Sequence, residues 1–272
     1  MPGFQPDGIL YGAAYYNEYH QTERTAEDFD LMVEAGVSVI RVGESVWHKW
    51  QPTEDTFDLD WLQPVLDAAH SKGIKVILGT PTYAVPRWIF QNYPEVIAER
   101  ATGAKVPYGH RQNVDYSHPI FRRLCEVIIR KIVERYRNHP AIIGWQVDNE
   151  PGAEILHNEG VFEAFKAKLR TKYQTVQALN AAWGLTYWSH ALNSFDDLWL
   201  PDGNTNPSYF LAWREHQARV TNDFIDWQRT IVRPLIKPEQ FITTCVALDR
   251  PGMDNQSIGE VLDITSVNVY YA

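Results

Sequence analysis

Four polar or acidic positions close the apolar run Ile142-Ile143-Gly144-Trp145-Gln146-Val147-Asp148-Asn149-Glu150 before Pro151-Gly152 breaks it. A strand that ends by presenting Asn149-Glu150 at the start of a turn is how a barrel enzyme aims a carboxyl group at a substrate. A carboxylic acid in that place can donate a proton to a leaving oxygen and later, ionised, take one from water. Asp148 is the rival. Two residues before Glu150, it would point to the same side of an extended segment and is read as a supporting carboxylate. Glu18 and Glu44 also stand at strand ends, and for each the expectation is an ion pair or hydrogen bond rather than direct chemistry. Trp145, close in sequence to Glu150, suggests an apolar wall that would help keep the acid protonated. The bland reading is a buried strand followed by a solvated acidic loop, so the choice rests on the elements around it.

Those elements alternate. Ile9–Tyr16, Val37–Val42, Ile74–Gly79, the stretch already described, Phe241–Cys245 and Asp263–Val269 read as six buried strands. Between them, apolar residues recur at helical spacing. Thr25 is placed as the N-cap of the first helix, with Asp28 three residues on. Leu59, Leu62, Val65, Leu66 and Ala69 mark a second helix, stopped by Gly73. Phe121, Leu124, Ile128, Ile132 and Tyr136 mark a long one capped at Ser117. Phe210, Trp213, Val220, Phe224, Trp227 and Ile231 mark another, ending near Pro234; its tryptophans read as core. The connection from Tyr83 to Pro119 holds one short helix around Arg87–Gln91 and is too aromatic for disorder.

Strands that are apolar along their whole length and alternate with helices indicate a parallel sheet covered by helices. No G-x-G-x-x-G follows the first strand, which removes the best evidence for a dinucleotide-binding doubly wound sheet. Polar or acidic strand ends suit a (β/α)8 barrel with about six of its eight strands present, residues 1–272 forming one incomplete catalytic domain.

Composition narrows the class. The chain has 272 residues, 44% of them hydrophobic, enough to bury a core without disulfides or metal staples. A formal net charge of −9 argues against a nucleic-acid or anionic-membrane surface. No apolar stretch approaches membrane-spanning length, and the start shows neither basic n-region nor apolar h-region. Cys125 and Cys245 read as free buried thiols, as in a cytoplasmic protein. The 10 Trp and 14 Tyr exceed what a core requires, and exposed aromatic faces in a cleft stack well on sugar rings. No histidine pair has H-E-x-x-H spacing, and no Gly-x-Ser-x-Gly elbow or phosphate loop is present.

Several segments together resemble glycoside hydrolase family 42, the β-galactosidases. They are Arg41-Val42-Gly43-Glu44-Ser45-Val46-Trp47, Trp61-Leu62, Leu78-Gly79-Thr80-Pro81-Thr82 with Pro86-Arg87-Trp88, Gly109-His110-Arg111, Gly144 to Glu150, and Ala182-Trp183-Gly184 to Trp188-Ser189. They occur in the family's order from about Tyr11 onward. The resemblance implies a retaining (β/α)8 glycosidase that removes terminal β-D-galactose by double displacement, with Glu150 as acid/base and Asn149 on the sugar 2-hydroxyl. It implies that Arg111 closes the sugar-binding end of the pocket, that Trp188 forms part of its wall, and that Tyr270 stands beside the nucleophile. The family's nucleophile is a Glu at the end of strand 7, so it is expected beyond residue 272. The family's four-cysteine zinc site has no counterpart in Pro151–His157; no metal or cofactor is implied, and a homotrimer is. Other retaining activities (β-glucoside, mannoside, arabinoside) stay open, as does a non-catalytic sugar-binding relic.

Overall fold

The computed structural model describes residues 4, 6, 8–201, 206–248 and 250–269. In chain order its elements are β1 (Gly12–Ala14), α1 (Thr25–Glu34), β2 (Val39–Val42), α2 (Trp47–Trp50), α3 (Gln63–Ser71), β3 (Lys75–Gly79), α4 (Arg87–Asn92) and α5 (Pro119–Tyr136). There follow β4 (Ile142–Gln146), α6 (Glu159–Tyr173), α7 (Val176–Trp183), α8 (Pro207–Val232), β5 (Phe241–Thr243), β6 (Cys245–Ala247), α9 (Asn255–Val261) and β7 (Ser266–Asn268). Strands β1 to β5 lie side by side in sequence order, each parallel to the next. A doubly wound sheet would reverse its order at a switch point. Unreversed sequential order, with a helix on each connection, is the wall of a (β/α)8 barrel, here a partial one.

The fifth expected strand is one segment in sequence and two in the ladder. Its first half pairs with β4 (Gly144↔Phe241), and after Thr244 its second half pairs with β7 (Cys245↔Ser266). The hydroxyl of Thr243 spans the break, donating to Ile264 O at 2.7 Å and lying 2.9 Å from Ser266 Oγ.

Close approach fixes two strand glycines. A Cβ at Gly12 would sit 1.6 Å from Val39 O, and one at Gly144 would sit 2.4 Å from the Phe241 ring. That ring is itself buried. In the full-length protein Gly144→Ala is therefore expected to lower stability by about 1–3 kcal/mol, the usual range for overpacking, read as a reduced urea midpoint at unchanged slope. A midpoint equal to that of the unmodified protein would show that the β4–β5 contact is looser than described.

The helices cover the outer face. Phe121, Leu124, Ile128, Ile132 and Tyr136 are all buried on α5, and Phe121 meets Phe224 of α8 at 5.9 Å between ring centroids. Trp213 is buried, and Trp227 stacks on Phe224, so both belong to the core as expected. Gly73 takes a left-handed φ of 70° and ends the α3 turn. Two caps differ from expectation. Thr25 is the first helical residue of α1 and its N-terminal neighbour Arg24 makes no side-chain cap; instead Glu23 accepts from Thr25 N at 2.8 Å. On α5 the cap is His118, whose ring nitrogen accepts from Ile120 N, rather than Ser117; Ser117 is held by Asp115.

The long connection after β3 carries α4 where a short helix was expected, and then folds on itself through bridges Ile97↔Val114 and Glu99↔Lys105. That compact loop delivers Arg111 and Gln112 to the end of β4. Cys125 and Cys245 are buried and unlinked. No helix among the described residues is long and apolar enough to cross a membrane.

Candidate active site at the C-terminal end of β4

Beyond Gln146 the chain stops behaving as a strand. Asp148 and Glu150 adopt left-handed φ angles of 57° and 47°, each a strain of about 1–3 kcal/mol that surrounding contacts must hold. Those contacts are present. Thr80 Oγ1 accepts from Asp148 N at 3.1 Å, Asp148 Oδ1 from Asn149 N at 2.8 Å, and Cys245 O from Glu150 N at 2.7 Å. Gln112, buried and itself left-handed at φ 56°, donates its Nε2 to the carbonyls of both Asn149 and Glu150 at 2.5 Å.

This backbone overturns one expectation. Asp148 and Glu150 do not share a side, because the segment between them is not extended. Asp148 turns towards β3 and α8, accepting from Thr82 Oγ1 at 2.6 Å, while Thr82 also reaches Gln228 Oε1 at 3.2 Å. Burial pushes its carboxyl up to about 6, against the opposing pull of the Thr82 hydroxyl and the Asn149 amide.

Glu150 turns towards the barrel mouth and is 1% exposed. Its Oε2 is ion-paired with Arg111 from the long connection and with Arg250 Nη2, at 3.3 Å, from the loop after β6. Its Oε1 accepts from Asn268 Nδ2 at 2.6 Å. Segments far apart in sequence thus converge on one carboxylate. The Trp145 indole, expected to wall Glu150, donates to Gln240 Oε1 at 3.1 Å.

Inside the barrel a second polar layer supports the first. Arg41 donates to Gln146 Oε1 at 3.2 Å and to Tyr16 Oη at 3.0 Å, and pairs with Glu44 at 3.1 Å. The Tyr16 hydroxyl donates to Glu44 Oε1 at 2.6 Å. Glu44 therefore has the ion pair expected of it. Gln146 Nε2 donates to Asn149 Oδ1 at 3.2 Å, which fixes the amide so that its Nδ2 group is the end left for a ligand. Glu18 differs from its expectation: both carboxylate oxygens are buried and neither has a hydrogen-bond partner.

Of the residues singled out from sequence, Glu150, Asn149 and Arg111 come together here. Trp188 lies on a 3₁₀ turn (Tyr187–Ser189), 60% exposed, stacked on Tyr187 with His190 edge-on; its ring contacts join it to neither Glu150 nor Arg111. Tyr270 lies outside the described residues. Sequence reading missed Gln112, Arg250 and Asn268. Asn268 ends a recognised strand and could have been found by that position; Gln112 adjoins Arg111; Arg250 carries no local signal.

The model of the glycoside hydrolase 42 family, described as beta-galactosidase, matches residues 14–272. The chain belongs to glycoside hydrolase family 42. Among proteins similar to this family 42 chain is beta-galactosidase BglY of Alicyclobacillus acidocaldarius, 34% identical over 97% of this chain and 39% of the relative. The beta-galactosidase of Thermus thermophilus is 32% identical over 96% of this chain and 41% of its own. The crystal structure of the cold-adapted beta-galactosidase from Rahnella sp. R3 superposes with a TM-score of 0.92 at 30% identity, covering 98% of this chain and 40% of that one. The family 42 chain thus spans about 40% of the length of the relatives it matches.

Proposed function

We propose that residues 1–272 form one incomplete catalytic barrel domain of a retaining β-galactosidase in which Glu150 is the acid/base. One observation carries the reading: a carboxylate at the C-terminal end of β4 is buried and gripped from three separate segments by Arg111, Arg250 and Asn268. A carboxylate so placed and so immobilised suits proton transfer at a fixed point.

In the proposed reaction a second carboxylate, on a strand beyond residue 272, attacks the anomeric carbon while Glu150 protonates the departing glycosidic oxygen. Water then replaces the enzyme at that carbon, and Glu150, now ionised, takes its proton. The two guanidinium groups suit the anion of this second step. A facing nucleophile carboxylate supplies the opposing charge that the first step needs. Asn149, with its oxygen committed to Gln146, offers Nδ2 to the sugar 2-hydroxyl. Arg111 closes the sugar-binding end of the pocket, and Trp188 and Tyr270 complete its wall. Galactosides are preferred over glucosides, mannosides or arabinosides because the matched relatives carry the name beta-galactosidase. A sugar-binding relic would give the buried ion cluster no task.

No cofactor enters this reaction, and the substrate is a β-galactoside. A cytoplasmic location and a homotrimer belong to the same reading; the unlinked, buried cysteines support the first.

The test is stereochemical. Protein extended to the length of its relatives should hydrolyse an aryl β-galactoside, with β-galactose the first anomer seen by proton NMR. Residues 1–272 alone should show no turnover, lacking the second carboxylate. Release of α-galactose first, or turnover by the fragment, would overturn the double displacement proposed.

A further inference from the structure

We propose that Gln112 is a positioning residue for the acid/base, its amide holding the turn after β4 in the shape that aims Glu150 at the glycosidic oxygen. The inference rests on Glu150 being that acid/base. Gln112 is itself firmly held. Its backbone N–H donates to Tyr83 O at 3.0 Å, the Asn113 carbonyl accepts from Ala98 N at 3.0 Å, and Val114 bridges Ile97. From that base the buried side chain reaches across to the turn and spends both its N–H bonds and its oxygen there. Nε2 donates to Asn149 O and Glu150 O at 2.5 Å, and Oε1 accepts from Ala153 N at 3.2 Å.

The turn needs such a hold. Pro151 offers it no N–H, and left-handed φ angles at Asp148 and Glu150 persist only where neighbours over-determine them. The φ of Glu150 curls the chain so that two successive carbonyls face one NH2 group. Asn149 and Glu150 are both buried, so loss of a donor there is costly. The bond from Ala153 fastens the far side of Pro151-Gly152, and a single side chain thereby ties both flanks of the turn. Adjacent residues divide the work: Arg111 is paired with the Glu150 carboxylate, while Gln112 holds the backbone that carries it. The Asn149 amide is fixed separately by Gln146, so its contact with the sugar does not depend on Gln112.

Proton transfer requires hydrogen-bond reach of the leaving oxygen, and a misplacement of about 1 Å costs roughly a hundredfold in rate. Gln112→Met keeps the length of the side chain and removes all three bonds. In the full-length protein its kcat/KM should fall about a hundredfold on lactose, whose glucose needs the proton. On a dinitrophenyl β-galactoside, whose phenolate needs none, the fall should stay below about tenfold. The ratio of the two losses within one preparation is independent of how much protein is folded. Should Gln112→Met yield no folded protein, Gln112→Asn, its amide one methylene short, gives the same comparison. Coupling is the second readout: in a Glu150→Ala background, Gln112→Met should lower lactose hydrolysis by less than about twofold more. Equal losses on both substrates, unchanged lactose kinetics, or the full loss in the Glu150→Ala background would each overturn the inference. Failure of the underlying reading looks different: Glu150→Ala alone would leave lactose hydrolysis intact, whatever the Gln112 variants do.

Discussion

Lactose hydrolysis by the full-length protein is expected to fall by about 10²–10⁴-fold in Glu150→Ala, the range for removing a positioned acid/base. The loss should depend on the leaving group. The glucose of lactose is a poor leaving group that needs Glu150's proton, whereas a dinitrophenolate needs none, so the first step on an activated aryl galactoside should survive. The second step should then limit, because no base remains to activate water. Azide requires no base, and its addition should restore turnover and yield galactosyl azide of β configuration. The variant also leaves Arg111 and Arg250 without their carboxylate, so its thermal midpoint needs recording beside its kinetics. Chemical rescue distinguishes a missing base from a distorted site, since azide cannot repair misfolding. Normal activity on lactose would remove Glu150 from the reaction and leave the cluster around it a structural feature.

The order of strands and helices was legible because a buried parallel strand must be apolar along its length and a covering helix apolar on one stripe. Both leave periodic traces: the residues expected inside α5 are buried, as are Trp213, Val220, Phe224 and Ile231 of α8, whereas Phe210 near its start is exposed. What escaped were features decided by partners distant in sequence. Phe241-Ile242-Thr243-Thr244-Cys245 reads as one strand, yet it changes ladder at Thr244, pairing first with β4 and then with β7. The divergence of Asp148 and Glu150 depends on left-handed φ at two residues with no glycine to announce it. Glu150 itself was legible, since a strand end and a motif coincide there. Arg250 was not: it meets a carboxylate 100 residues away, and the Pro251-Gly252 pair that follows it would suit any surface loop.

Asp148→Asn should remove a pH dependence of stability that the unmodified protein shows between about pH 4 and pH 6. Asp148 is buried beside β3, and burial lifts its carboxyl from the usual 3.8 to about 6. The folded state therefore binds this proton more tightly than the unfolded chain does. The resulting stability is fully present below the unfolded value near 4, is lost as pH rises through the folded value near 6, and then stays level. The gap between the two values corresponds to about 3 kcal/mol. Asparagine can keep the local contacts, its oxygen accepting from Asn149 N and its Nδ2 donating to the Thr82 hydroxyl once that rotates. Urea unfolding of both full-length proteins at pH 4 and pH 7 reads the effect as a difference of differences. That comparison matters because burial also raises the carboxyls of Glu18 and Asp223, and both contribute equally to the two proteins. The unmodified protein should lose about 2 kcal/mol more than the variant over this interval, since part of the 3 kcal/mol is already lost at pH 4. Identical losses would mean that Asp148 titrates as an ordinary carboxylate, and the turn that aims Glu150 would then need another account of how its buried charge is tolerated.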